Sequence, residues 1–178
     1  MSEPILIAFG ANIDPLANLI AGLTQLHQEM PLEAISTVYR TTPLRRTPTD
    51  RQEPDFLNGA VLTRHPQEPD ALKKRLRRIE ASRMRKRQTG DPDAPRTLDL
   101  DLALMGNRVM RPPASMTLPD PDILKRPFVA IPLAELAPKM IHPDEGTTLA
   151  VIAARFQPNP VEMAPDRKAT QALRAILR

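Results

Sequence analysis

Apolar positions along the first 105 residues switch between the two-residue period of strands and the three-to-four-residue period of helices. ILIAFGA, residues 5–11, is an unbroken apolar run that predicts a buried strand ending in a glycine turn. From 14 to 30, Leu16, Leu19, Ile20, Leu23 and Leu26 recur at helical spacing, with Asp14 at the capping position and Pro15 in the first turn. A strand is predicted over 32–42, a polar proline-containing loop over 43–54, and another strand over 55–64. Leu72, Leu76 and Ile79 predict a helix over 68–82, followed by a basic and then Gly/Pro/Asp-rich loop over 83–95.

The next segment, TLDLDLAL, alternates cleanly. In an extended chain Leu98, Leu100, Leu102 and Leu104 line one face, while Thr97, Asp99, Asp101 and Ala103 line the other. Both carboxylates therefore point the same way, with Cα atoms about 7 Å apart. Like charges on one strand face repel, so something positive must answer them: arginines, water or metal. Beyond this strand the pattern predicts a turn at Gly106–Asn107, a short strand near 108–111, and short helices near 132–136, 147–156 and 167–178. Strands mixed with helices and joined partly by a hairpin indicate an α+β layer fold. One domain is expected over 1–157, followed by a tail, 158–178, that is helical at its end.

Composition narrows the chemistry. The chain has 178 residues and no cysteine, which excludes disulfides, thiolate metal sites and a thiol nucleophile. The N-terminus has no basic region before its short apolar run, and no apolar run reaches membrane-spanning length. A cytoplasmic protein without a membrane partner is the expectation. The three histidines, His27, His65 and His142, show no ligand spacing, and neither a P-loop nor a dinucleotide glycine motif is present.

Between Lys73 and Arg87 the chain carries nine Lys or Arg and a single acid, Glu80. Lys73, Lys74, Arg75, Arg77 and Arg78 read as a solvated helix face. Arg83, Arg85, Lys86 and Arg87 lie past it, in the loop leading to the aspartates, where cations suit a polyphosphate. Nucleic acid is the rival ligand for such a patch, but four Phe, one Tyr and no Trp leave little for bases to stack on. In DFLNG, residues 55–59, Phe56 and Asn58 share a strand face; that pairing serves a core aromatic or holds a flat polar heterocycle.

In order, AFGAN, VYRTTPL, PDFLNGAV, RIE with spaced arginines, PRTLDLDLALMG and RPFVAIPLAELAP resemble the 6-hydroxymethyl-7,8-dihydropterin pyrophosphokinase family over residues 4 to 138. The resemblance implies a ferredoxin-like α+β domain with an antiparallel sheet, helices and long mobile active-site loops. It implies transfer of the β,γ-pyrophosphoryl group of ATP to the pterin hydroxymethyl oxygen, with AMP released. Asp99 and Asp101 match the aspartates that hold two Mg²⁺ ions. Phe56 and Phe128 match the aromatics that sandwich the pterin, Asn58 the amide that reads its edge, and Thr41 and Leu44 the loop that gives backbone contacts. Arg85, Arg87 and Arg96 match the catalytic arginines on the phosphates, and Glu80, Arg126 and Thr117 fall where the nucleotide is held. The implied partners are pterin and ATP, without nucleic acid, in a monomer or weak homodimer.

The sequence departs from the family pattern at Asp120, where a His is usual, and at Met84, where Gly is usual. GANIDP also differs from the usual Gly-Ser-Asn-Leu, and the loop before Pro95 has no Trp. A diverged paralogue with another pterin alcohol or phosphate donor, or a silent pterin-binding protein, stay open as alternatives.

Overall fold

The computed structural model describes residues 3–43, 54–83 and 97–178. Its elements run β1 (Ile5–Ala11), α1 (Pro15–Glu29), β2 (Ala34–Ile35), β3 (Tyr39–Thr41), β4 (Phe56–Thr63), α2 (Pro69–Ser82), β5 (Asp99–Met105), α3 (Pro127–Leu136), β6 (Ile141–His142), β7 (Thr147–Thr148), α4 (Leu149–Ala153), β8 (Met163–Pro165) and α5 (Arg167–Arg174). The main sheet has the order β5-β1-β4-β3-β8, with β2 also on β4, and every pairing is antiparallel. β1 and β3 flank β4, while β4 and β5 flank β1. The connections through α1 and α2 thus each skip one strand, which is the split β-α-β topology of ferredoxin-like folds.

Each sheet face carries its own apolar layer. On one, Ile5, Ile7 and Phe9 of β1 and Leu57 and Val61 of β4 meet α1, α2 and α5 through Leu19, Leu23, Leu76, Ile79 and Leu173. On the other, Leu6, Ala60 and Leu62 meet Val129, Ala130 and Leu133 of α3 and Leu149 and Ile152 of α4. The alternation of β1 between these layers is what its continuous apolar run encodes.

Several expectations from the pattern change. Leu104 does not join Leu98, Leu100 and Leu102. The β1–β5 register slips between Leu6 and Ile7, so Leu6 opposes Leu104 while Ile7 opposes Leu102. This bulge places Ala103 and Leu104 together in the second layer and returns Met105 to the first. The predicted strand over 32–42 is two short strands interrupted at 36–38, and Gly10 lies inside β1 rather than in a turn. Ile20 is 36% exposed; Gly22 takes the buried place on α1 instead, against Leu98. Asp14 adopts a left-handed backbone and its side chain makes no capping bond. Near 108–111 the described residues show only an isolated bridge between Met110 and Leu118. The helix expected near 132 begins at Pro127, because Pro132 is accommodated within it. The helix expected over 147–156 is shortened to α4 by the β6–β7 hairpin.

The tail does not hang free of the domain. The boundary expected at 157 falls before β8, which adds a strand to the main sheet beside β3, and α5 then packs its Ala169 and Leu173 against the core.

His142, in the β6–β7 hairpin, is 1% exposed. Its Nδ1 accepts the Glu145 N–H at 3.3 Å, and its Nε2 is buried without a hydrogen-bond partner among the described residues. Burial lowers its pKa below 6.5; Asp144 and Glu145 oppose that shift, and Arg111 and Arg155 add to it. The unfolded chain therefore takes up the proton first, and stability falls as pH drops below about 6.5. A thermal melting series from pH 7.5 to 5 should show this decline, and His142→Gln should flatten it.

Candidate active site

The register of three strands assembles the site. Gly10 of β1 lies directly opposite Asp99 on one side and Asn58 on the other, and Asn58 in turn opposes Tyr39. Directly opposed residues share a face, so Asp99, Gly10, Asn58 and Tyr39 form one row across the sheet, on the side covered by α3. One step along, Asp101 opposes Ala8, which opposes Ala60 of the second apolar layer.

The amide end of the row is fixed by hydrogen bonds. The Asn58 Nδ2 donates to Thr41 Oγ1 at 2.7 Å, and both residues are buried. Thr41 opposes Phe56 in the β3–β4 pairing. A Cβ on Gly10 would stand 2.5 Å from the Asn58 Oδ1, so glycine is what lets the amide lie flat over β1. From the covering side, Phe128 sits in the first turn of α3, half-buried against the second layer. Seven residues on, the Glu135 carboxylate accepts the Tyr39 hydroxyl and the Thr37 N–H, the latter at 2.8 Å, which pins α3 to the strand carrying Thr41. Burial and that carboxylate raise the Tyr39 pKa, so the phenol stays a donor.

The carboxylate end opens into a cleft of about 300 Å³ along the β5 edge. Asp99, Asp101, Glu80, Asp120, Lys73 and Arg77 supply its charged lining, and Thr117 lies at its rim. The Glu80 side chain is 4% exposed and its Oε1 accepts the Leu100 N–H at 2.8 Å, so it anchors β5 while lining the cleft. Asp120 accepts the Asp122 N–H at 2.9 Å and its own N–H reaches the Ala103 carbonyl, also at 2.9 Å. Burial raises the Asp120 pKa, with Asp122 and Asp99 adding repulsion. Among the described residues no three His, Asp or Glu groups converge to hold a metal ion. Two hard oxygen donors on one rigid strand nevertheless suit a Mg²⁺ ion that completes its coordination with water and phosphate oxygens.

Residues 6–138 match the family model for 7,8-dihydro-6-hydroxymethylpterin-pyrophosphokinase (HPPK). This chain belongs to that family. Relatives named 2-amino-4-hydroxy-6-hydroxymethyldihydropteridine pyrophosphokinase agree. The Synechocystis protein is 36% identical over 148 residues, which are 80% of this chain and 71% of that one. The Haemophilus influenzae protein is 34% identical over 143 residues, covering 78% and 84% respectively. Among solved structures, Plasmodium falciparum HPPK-DHPS with pteroate superposes at a TM-score of 0.61 and 13% identity, over 87% of this chain. An HPPK-DHPS in complex with substrates reaches a TM-score of 0.64 at 11% identity. These two likenesses support the fold, and the chain spans 42% and 43% of those longer proteins. As a member of the HPPK family the chain is an enzyme of ATP-dependent pyrophosphoryl transfer.

The HPPK fold brings together most of what the sequence singled out. Asp99, Asp101, Glu80 and Thr117 share the cleft, and Thr41, Phe56 and Asn58 share the neighbouring strands. Arg126 stands at the start of α3, its Nε 4.0 Å from Asp122. Leu44, Met84, Arg85, Arg87 and Arg96, with residues 44–53 and 84–95 of the two loops, lie outside the described residues. Two cations read as part of a solvated helix face have a further setting. Lys73, half-buried, and Arg77, exposed, also line the cleft, together with Leu76 and Glu80. The signal was available, because 73, 76, 77 and 80 form one i, i+3, i+4, i+7 stripe. Gly10 was missed altogether, since a strand glycine shows its purpose only through its neighbours.

Proposed function

We propose that this protein joins the terminal pyrophosphoryl group of ATP to 6-hydroxymethyl-7,8-dihydropterin, and that the Asp99–Gly10–Asn58 row is where donor and acceptor meet. The row carries the reading because it sets a carboxylate pair beside an amide pocket on one rigid surface. The pterin lies between Phe56 and Phe128, with Asn58, Thr41 and the backbone at Leu44 reading its polar edge. The hydroxymethyl oxygen attacks the β-phosphorus, the bond from that phosphorus to the α-phosphate oxygen breaks, and AMP leaves. No protein nucleophile is needed; alignment and charge stabilisation supply the rate.

Asp99 and Asp101 hold two Mg²⁺ ions, which when bound offset the charge of the triphosphate. Arg85, Arg87, Arg96 and Arg126 grip the phosphates, joined by Lys73 and Arg77 from α2. Glu80 and Thr117 border the nucleotide. A cytoplasmic monomer or weak homodimer acting on these two small substrates, without nucleic acid or membrane, completes the reading. Among the described residues no helix is long and apolar enough to cross a membrane. The catalytic unit includes β8 and α5 of the 158–178 segment as well as residues 1–157.

The test is AMP release by the purified protein given ATP, Mg²⁺ and the pterin, with pterin-free and EDTA controls. AMP that appears only with pterin and metal is expected. One observation favours a different donor: the Asp120 carboxylate faces the same cleft as Asp99, where it repels a triphosphate. Parallel assays with donors that carry less negative charge than a nucleoside triphosphate decide that point.

A further inference from the structure

The structure gives the C-terminal segment, which lies beyond the residues matched by the family model, a direct grip on the strand that holds the amide pocket. Along residues 38–42 the outward edge is taken up by this segment. The Val38 N–H donates to Thr170 Oγ1 at 2.9 Å, and the Val38 carbonyl accepts the Asp166 N–H at 2.8 Å. Tyr39, Arg40 and Thr41 pair with Pro165, Ala164 and Met163, and the Thr42 N–H reaches the Glu162 carbonyl at 3.1 Å. The Arg40 guanidinium closes the row on Asp166 at 2.7 Å.

Thr170 is the unexpected member. It sits beside Ala169 and one turn before Leu173, on the face of α5 that enters the core, and is only 8% exposed. Packing alone would favour an apolar side chain there. The hydroxyl instead does two jobs, donating to the Asp166 carbonyl at 2.7 Å while accepting from Val38. Without it the Val38 N–H would be buried with no acceptor, and residues 38–42 would shift to find one. Thr41, three residues on, carries the oxygen that orients the Asn58 amide.

We propose that Thr170 is a positioning residue for the pterin end of the site: it locks β3 in register, and through Thr41 it sets the angle of the Asn58 amide. The phosphate end, built on β5 at the opposite side of the sheet, is independent of it. This rests on the pterin reading given above.

The experiment compares full-length wild type, Thr170→Val and Thr170→Ser. Dissociation constants for the pterin are measured in the presence of a non-hydrolysable ATP analogue and Mg²⁺, and the analogue is titrated separately. Backbone hydrogen exchange is followed across 38–42 and 99–105. Thr170→Val should weaken pterin binding about fivefold, roughly the effect of losing one buried hydrogen bond. It should leave the analogue's affinity within twofold and speed exchange at 38–42 only. Thr170→Ser, which keeps the hydroxyl, should behave as wild type. A Thr170→Val protein that melts earlier yet binds pterin normally overturns the proposal, as does equal weakening toward both ligands. If wild type itself binds no pterin, the substrate reading fails. The role toward pterin falls with it, and exchange then decides only the register lock on β3: acceleration confined to 38–42 upholds the lock, and uniform or unchanged exchange overturns it.

Discussion

Replacing Asp99 or Asp101 with alanine is expected to lower kcat/KM about 10³-fold or more, while the melting temperature moves by no more than about 2 °C. The asymmetry follows from where these residues stand. Both lie on the edge strand β5, Asp101 exposed and Asp99 half-buried, and neither belongs to an apolar layer. Removing one carboxylate also relieves repulsion between two like charges on one face. What is lost, on the proposed function, is the negative charge that would hold divalent cations against a triphosphate. AMP release and a thermal scan measure the two halves of this prediction. Mn²⁺ titration in the presence of an ATP analogue adds a reading independent of turnover, and binding should weaken in both variants. A variant that keeps near-normal turnover would end the two-metal reading.

Gly10→Ala should cut pterin affinity about 10- to 100-fold, the range for losing a buried polar partner in a recognition site. The added methyl group would stand 2.5 Å from the Asn58 Oδ1, far inside contact distance. Asn58 must rotate, and its 2.7 Å bond to Thr41 breaks with it. Overpacking at so close an approach costs about 1–3 kcal/mol of stability as well. Calorimetry with pterin and with an ATP analogue separates the effects: pterin binding should suffer, and analogue binding should change less than about threefold. Unchanged pterin affinity in a folded Gly10→Ala protein would show that Asn58 does not read the heterocycle.

The sequence carried the main elements because their signals are local. β1 is found where its apolar run lies, and α2 follows from three residues at helical spacing. The aspartate pair was legible for the same reason, since a two-residue period needs no knowledge of the rest of the fold. Features that depend on a partner were not. Leu104 changes layers because β5 slips against β1, and the slip is a property of the pair. Gly10 reads as a turn until Asn58 and Asp99 appear on either side of it. The residues ending the chain read as a separate tail, yet β8 is defined by an edge that β3 leaves open. Thr41 was legible only as a family position, while Asn58 was legible from the face it shares with Phe56; their mutual hydrogen bond required the fold.

Because one strand separates Asp99 from Asn58, these two residues lie roughly 10 Å apart, twice the spacing of neighbouring strands. Antiparallel pairing on both sides of β1 makes that interval as stiff as the sheet itself. On the proposed function the enzyme thus carries a molecular ruler between the place that would grip phosphate and the place that would grip a heterocycle. An acceptor whose ring docks at Asn58 but whose alcohol hangs on an arm two carbons longer would overshoot the reacting phosphorus. Such a compound should bind and not turn over, acting as a competitive inhibitor whose potency depends on arm length more than on ring chemistry.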